Sequence, residues 1–332
     1  MTALSLSVEA WSEEEFSGSS FSDERMSRRA VAIGSAMARH PGSGLSQMFD
    51  RVSEVRAAYR FVNHEEATPE TIQYGHRERV FSEMGTGCHL LLEDTSEILC
   101  SRGEEIEGLG PIGGSRARKI GFLLHTTLAV RWDGSGEGVR RGAGVHVVGI
   151  ADQSYRIREP QPGRGPDRGS RRRQVGSGVE SGVWEQTSHR LGHPPPGARW
   201  IKVGDRGADI YDHLMSCRGN GQDFVIRAQA DRVIEEKPGR LFVAARATAA
   251  KDETSPLTLR RRGQVPKRTA RLSVSVTVVR IQSPQVVGFR RGARPALTVT
   301  LVRAWEADPP PGVTALEWIL LTSLPVETTA QA

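Results

Sequence analysis

The sequence predicts an α/β protein in three parts: a helical module, a sheet-forming core and a β-rich stretch. Three observations carry this. From Phe21 to about Ala67 apolar side chains recur every three or four positions, whereas from His89 onward they come in short runs bounded by polar residues. Two of those runs, His89–Asp94 and Ala198–Asp205, each end in an aspartate, so each reads as a strand delivering a carboxylate to its C-terminal edge.

The helical part is legible first. Val31, Ile33, Ala36 and Met37 make one stripe, and Leu45, Phe49, Val52, Val55, Tyr59 and Val62 make a second. Pro41-Gly42-Ser43-Gly44 separates the two, and Ser46 is the expected cap of the second helix. Thr68-Pro69-Glu70 starts a third, with threonine capping, proline in the first turn and an acid at the positive end of the dipole. Residues 1–85 thus form an N-terminal helical domain.

Residues 86–230 follow as the core. Strands are expected at His89–Asp94, Phe122–Val130 and Val145–Ile157. A basic loop at 160–182 carries Arg168, Arg171, Arg172 and Arg173, and helical signal resumes at Glu180-Ser181-Gly182-Val183-Trp184. The strand ending at Asp205, the short helix Ala208–Cys217 and the strand Asp223–Ala228 make a strand-helix-strand unit suited to a right-handed crossover. In residues 231–332 alternation dominates, at Leu272–Val279 and Ala296–Val302, with no competing helical period up to Ala307; Leu316–Ser323 is a last buried strand.

Composition limits the function classes. At 332 residues and 37% hydrophobic content the chain buries more than one small core. Its 45 basic against 39 acidic residues, mostly arginine, are compatible with phosphate-rich partners without demanding them. Three cysteines without a CxxC pair point to a reducing, cytoplasmic setting. The N-terminus lacks a basic start and an apolar core, which argues against a signal peptide. No apolar run approaches the roughly 18 residues of a membrane span, so no membrane partner is expected.

Two carboxylates at neighbouring strand ends repel unless a cation lies between them, and a hard divalent ion with oxygen ligands is the usual answer. Asp94 and Asp205 are therefore candidate metal ligands, and two-metal phosphoryl chemistry uses that arrangement. Taken alone, Asp94 also reads as an exposed strand-end acid capping the turn through Thr95 and Ser96. Asp209 reads as a first-turn helix acid, His125 as a core residue, and Arg171 to Arg173 as a solvated loop.

Several segments, in order, carry a resemblance: Phe21-Ser22-Asp23-Glu24-Arg25 with Arg28-Arg29; Ala58-Tyr59-Arg60-Phe61-Val62-Asn63; Glu93-Asp94-Thr95-Ser96; Gly121–Thr127; Glu180–Trp184; Val203–Tyr211; and Leu316–Ser323. With them the chain resembles the IS4 family of bacterial cut-and-paste transposases, the Tn5 transposase-like group. The resemblance implies a ribonuclease-H-like core behind a helical DNA-binding domain, with a β-rich insertion. It implies that Asp94 and Asp205 are the first two acids of an Asp-Asp-Glu catalytic set holding two Mg²⁺ ions, with Mn²⁺ as a substitute. It implies that Trp318 stacks a flipped base at the transposon end, and that Arg206, Arg60, Arg25, Arg28 and Arg29 contact DNA. The implied partners are double-stranded terminal inverted repeats and, for the complete family form, a second copy of the chain, at the nucleoid. The family's glutamate lies in a Tyr, Arg, Glu and Lys motif beyond the Trp318 strand, and neither Glu317 nor Glu327 has that context. A C-terminally truncated enzyme, inactive alone, is the resulting expectation, with a non-catalytic DNA-end-binding protein or a remnant of a decayed element as the alternative.

Overall fold

Ser7 opens the first helix, α1 (Val8–Phe16), its hydroxyl accepting the Ala10 N–H at 3.2 Å. This helix precedes the stripes read from the sequence. Its buried position is Ser12, which donates to the Val31 carbonyl at 2.6 Å, and the run Glu13-Glu14-Glu15 breaks any apolar period. The computed structural model describes residues 6–102, 106–113, 119–133, 144–159, 182–237, 239–251, 254–259, 267–284, 295–329 and 331. The expected basic loop at 160–182 lies, up to residue 181, outside them.

Helix α2 (Glu24–Arg39) is capped by Asp23 and buries Ala30, Ile33 and Ala36. Ser46 is not the cap of the next helix: it lies in a 3-10 turn, Leu45–Gln47, and α3 (Val52–Val62) starts after Arg51. The second stripe continues across this break because the turn keeps Leu45 and Phe49 against the same core. Helix α4 (Pro69–Glu83) begins where its signals place it, with Thr68 Oγ1 accepting the Thr71 N–H at 3.2 Å. Ala30, Ile33, Ala58 and Phe61 form the centre, ringed by Phe16, Phe21, Met26 and Ile72. Residues 1–84 and 148–151 make up this compact unit. Within it His76 Nε2 accepts the Ile150 N–H at 2.9 Å while its other ring nitrogen bonds Glu15.

Residues 85–147 and 152–332 form a second unit. The strands are β1 (Gly87–Arg102), β2 (Gly110–Ile112), β3 (Lys119–Trp132), β4 (Val145–Arg156, of which residues 148–151 belong to the first unit), β5 (Ala198–Gly204), β6 (Asp223–Arg227), β7 (Thr254–Leu259), β8 (Arg268–Ile281), β9 (Leu297–Glu306) and β10 (Glu317–Thr322). They form one mixed sheet in the order β2-β3-β1-β5-β6-β10-β9-β8-β7, with β4 paired to β3. β1, β5 and β6 are mutually parallel. β3 runs antiparallel to both β1 and β2, and the pairs along β6-β10-β9-β8-β7 are antiparallel as well. The β-rich stretch therefore continues the same sheet outward from β10.

Helices α5 (Gly182–Leu191) and α6 (Tyr211–Gly219) bring Trp184, Leu214 and Cys217 into a core with Phe224, Ile226 and Leu321. The last three are fully buried, each contributing about 1.5–3 kcal/mol. A third helix, α7 (Leu241–Ala247), corrects the expectation that residues 231–307 lack one. Its buried Leu241, Ala244 and Ala245 follow helical spacing, but seven residues are too few for the period to stand out in sequence.

Candidate active site

Strand β1 does not end at Asp94, as expected; it runs to Arg102 because β3 stays paired with it throughout. Its other partner lets go earlier. The parallel pairing with β5 ends at Glu93↔Gly204, so the next residues on the two strands are Asp94 and Asp205. The pairing of β5 with β6 ends at Gly204↔Ile226, which places Arg227 beside Asp205, and Arg227 pairs with Leu320 of β10. Register partners in a sheet share a face, so Asp94, Asp205, Arg227 and Leu320 form a row across four strands. Trp318 lies on the same face of β10, two residues further along, and is half-buried.

Both aspartates are exposed. Each turns one oxygen to the backbone ahead of it: Asp94 Oδ1 accepts the Thr95 N–H at 2.8 Å, and Asp205 Oδ1 accepts the Gly207 N–H at 2.7 Å. Among the described residues neither has a salt-bridge partner, and the second oxygen of each has no hydrogen bond. The turn-capping alternative for Asp94 thus accounts for one oxygen and leaves the other to solvent. Two hard carboxylate oxygens with room around them suit Mg²⁺, which commonly binds through one or two carboxylates, waters and substrate phosphates. Among the described residues no group of three or more His, Cys, Asp or Glu has metal-holding geometry.

Arg227 is a neighbour of the candidate site that sequence reading missed. Burial pushes its guanidinium pKa down, the neighbouring Arg206 pushes the same way, and Asp205 opposes them. It therefore lies within electrostatic reach of both residues of the Asp205 turn. Its signal was present: the apolar run Asp223-Phe224-Val225-Ile226 ends in a charge just as the two aspartate strands do. Arg206 is exposed at the start of a 3-10 turn, Arg206–Ala208. Asp209 is not a first-turn helix acid, since α6 starts at Tyr211. It is buried and clamps a loop, accepting the Gln229 and Ala230 N–H groups at 2.7 and 2.9 Å and pairing with Arg232.

On the opposite face, beneath this row, lies a buried polar layer. The Lys202 ammonium and Glu93 carboxylate are in contact with side chains 0% and 1% exposed, and Thr127 donates to the same carboxylate at 2.9 Å. Burial pushes the Glu93 carboxyl upward against the pull of Lys202. Burial also lowers His125 to about 4 and His213 to about 3, so both imidazoles are neutral, and raises the Cys217 thiol to about 12. His125 is buried as expected from the sequence, but not as the fully satisfied core histidine expected there: Nδ1 lies 2.8 Å from Thr95 Oγ1, and Nε2 has no hydrogen-bond partner among the described residues.

In the helical unit, Arg25, Arg28, Arg29 and Ala32 line a shallow hollow on α2. Asp23 holds the Arg25 guanidinium at 2.8 Å, whereas Arg28 and Arg29 have no ion pair among the described residues. Arg60 is exposed near the end of α3, where Tyr59 is 47% exposed beside it. An exposed aromatic among arginines on one helix is a surface that suits nucleic acid.

Among solved structures the chain is similar to the piggyBac transposase in its cryo-EM synaptic complex with hairpin DNA, with 11% identity and a TM-score of 0.37. The match covers 92% of this chain and 53% of that one, so this chain spans about half its length. No helix among the described residues is long and apolar enough to cross a membrane. Residues 8–67 match the family model described as Transposase DNA-binding, so the helical unit carrying Arg25, Arg28, Arg29 and Arg60 is similar to the DNA-binding domain of transposases.

Proposed function

We propose that this chain is part of a DNA transposase of the Asp-Asp-Glu type, of the IS4, Tn5-like kind, acting on the terminal inverted repeats of an insertion element. The observation that carries the reading is the placement of Asp94 and Asp205 at adjacent register positions on one open face, in a chain whose residues 8–67 match a transposase DNA-binding model. In this reading Asp94 and Asp205 are the residues that would hold a divalent ion. When bound, the ion supplies Lewis-acid stabilisation to charge developing on a scissile phosphodiester. Arg227 and Arg206 bind the flanking phosphates, and Trp318 offers a stacking surface for an unpaired base. Arg28 and Arg29, with Arg25 and Arg60, neutralise phosphates of the duplex.

A second reading is DNA-end binding without strand cleavage. It is supported by the two aspartates meeting no third metal-ligating side chain among the described residues.

The test uses the full chain with a duplex carrying the terminal repeats that bracket its gene, and a scrambled duplex. Fluorescence anisotropy across a salt series gives affinity and slope, and electron paramagnetic resonance gives Mn²⁺ binding. The repeats should bind more tightly, and Arg28→Ala with Arg29→Ala should reduce the salt slope by roughly 0.9 for each phosphate left without its arginine. Asp94→Asn and Asp205→Asn should each weaken Mn²⁺ binding, and Mn²⁺-dependent nicking of the repeats separates the two readings. Equal affinity for both duplexes would overturn the end-recognition reading, and Mn²⁺ binding indifferent to both aspartates would overturn the metal site.

A further inference from the structure

We propose that Trp184 is a positioning residue that sets the spacing of the Asp94 and Asp205 carboxylates from beneath the sheet. The inference rests on the reading of those two aspartates as metal ligands.

Trp184 sits on α5, 5% exposed, and its indole lies under the Asp205 turn and, by way of His125, beside the Asp94 stretch of β1. On the Asp205 side it runs under the turn Gly204-Asp205-Arg206-Gly207. A Cβ at Gly204 would lie 3.5 Å from Trp184 Cζ3 and 2.5 Å from the Ala208 Cβ; one at Gly207 would lie 3.4 Å from Trp184 Cζ2 and 3.0 Å from Asp205 Oδ1. The ring thus lies about one carbon away from the backbone at both glycines, while the Ala208 Cβ and Asp205 Oδ1 are the atoms that crowd these positions, and the Gly207 N–H aims Asp205. On the Asp94 side the indole meets His125 edge to face, centroids 4.6 Å apart at 75°. His125 Nδ1 is 2.8 Å from Thr95 Oγ1, and the Thr95 N–H holds Asp94 Oδ1. The other nitrogen, Nε2, is buried without a hydrogen-bond partner among the described residues, so it is ring packing that fixes this side of the imidazole.

A tryptophan that only fills core would brace one wall. This ring supports both, through Thr95 on β1 and Gly207 after β5, so displacing it changes the separation of the carboxylates and not just their mobility. Groups that orient metal ligands typically affect metal affinity by about 10–100-fold.

The test compares Trp184→Leu, the milder Trp184→Phe and a control, Trp200→Phe, at a 2% exposed tryptophan near the other end of β5. Two readouts on the full chain decide it: amide exchange at Thr95 and Gly207, and Mn²⁺ affinity by electron paramagnetic resonance. Trp184→Leu should speed exchange at both amides by about 10-fold or more and weaken Mn²⁺ by about 10-fold, leaving β8 and β9 amides unchanged. Trp200→Phe should do neither. Should the leucine variant lose its far-UV circular dichroism, the phenylalanine variant decides by the same two readouts. Wild-type exchange at Thr95 and Gly207 in a folded variant, or an equal Mn²⁺ loss in Trp200→Phe, overturns the inference alone. Wild-type protein that binds no Mn²⁺ through Asp94 overturns the metal reading, and the positioning role with it.

Discussion

Replacing Lys202 by methionine removes the ammonium from a pair whose two side chains are 0% and 1% exposed, and leaves the Glu93 carboxylate buried without its cation. Methionine follows the lysine chain as far as Cε and lacks only the terminal ammonium, so the loss is electrostatic more than steric. Breaking a buried pair from one side costs about 3–5 kcal/mol, and for a unit of this size that lowers the melting temperature by roughly 6–20 °C. The deficit should depend on pH. Burial already drives the Glu93 carboxyl above its ordinary value of 4.5, with Lys202 opposing, and without Lys202 it rises further. A folded-state acid with a raised pKa binds more protons than the unfolded chain, so its stability contribution is present near and below pH 4.5 and is lost as pH rises through the raised value. The variant's deficit should therefore be largest at pH 7.5 and shrink toward pH 5. Urea unfolding followed by circular dichroism at both pH values measures this. Glu93→Leu combined with Lys202→Met should recover to within about 1 kcal/mol of wild type, since apolar replacement of both partners is often neutral. A Lys202→Met deficit under about 1 kcal/mol, or one equal at the two pH values, would refute a desolvated carboxylate at this position.

Three further outcomes follow from local geometry. Gly204→Ala would bring a methyl group 2.5 Å from the Ala208 Cβ, and should cost about 1–3 kcal/mol of stability in chemical unfolding, with Mn²⁺ affinity falling because the Asp205 turn must move. Thr68→Ala removes the Oγ1 that accepts the Thr71 N–H, and should cost about 1 kcal/mol by thermal unfolding, with Thr68→Ser retaining most of it. A maleimide or disulfide reagent at pH 8 should label exposed Cys100 promptly and spare Cys217, whose thiol is held near 12 and stays protonated; mass spectrometry of the labelled peptides reads the difference, and labelling of Cys217 at the rate of Cys100 would contradict its burial.

The elements most legible in the sequence were those whose side chains answer to one local rule. Thr68-Pro69-Glu70 placed the start of α4, and the strands carrying Leu90, Val203 and Leu301 announced themselves as apolar runs. Where two influences competed, reading along the chain failed. Ser46 has a cap's chemistry, but Leu45 and Phe49 are held to the core by a 3-10 turn. Asp209 has the position of a helix-opening acid, but the Gln229 and Ala230 amides and Arg232, some 20 residues on, claim it. Of the candidate site, both aspartates were visible as charges ending apolar runs. Their adjacency was not, because it depends on the register between β1 and β5, which no single segment encodes. Arg227 carried the same visible signal, a charge ending an apolar run, but its place beside Asp205 depends on the β5–β6 register, and the roles of Trp184 and the Glu93–Lys202 pair likewise arise only from contacts between elements far apart in the chain.

The strand order also governs how the protein is made. β1 and β3 lie close in the chain and can zip together as soon as both have left the ribosome, but the other side of β1 waits for β5, with Lys202 following Glu93 by 109 residues. At about 5–20 residues per second, synthesis of that interval takes roughly 5–20 s. Throughout it a long strand edge bearing Leu91 hangs unpaired, open to the same edge on a neighbouring nascent chain. The yield of native protein should thus respond to translation speed and to chaperones that shield strand edges. A variant that slows the emergence of β5 would aggregate even though its folded state is unaltered.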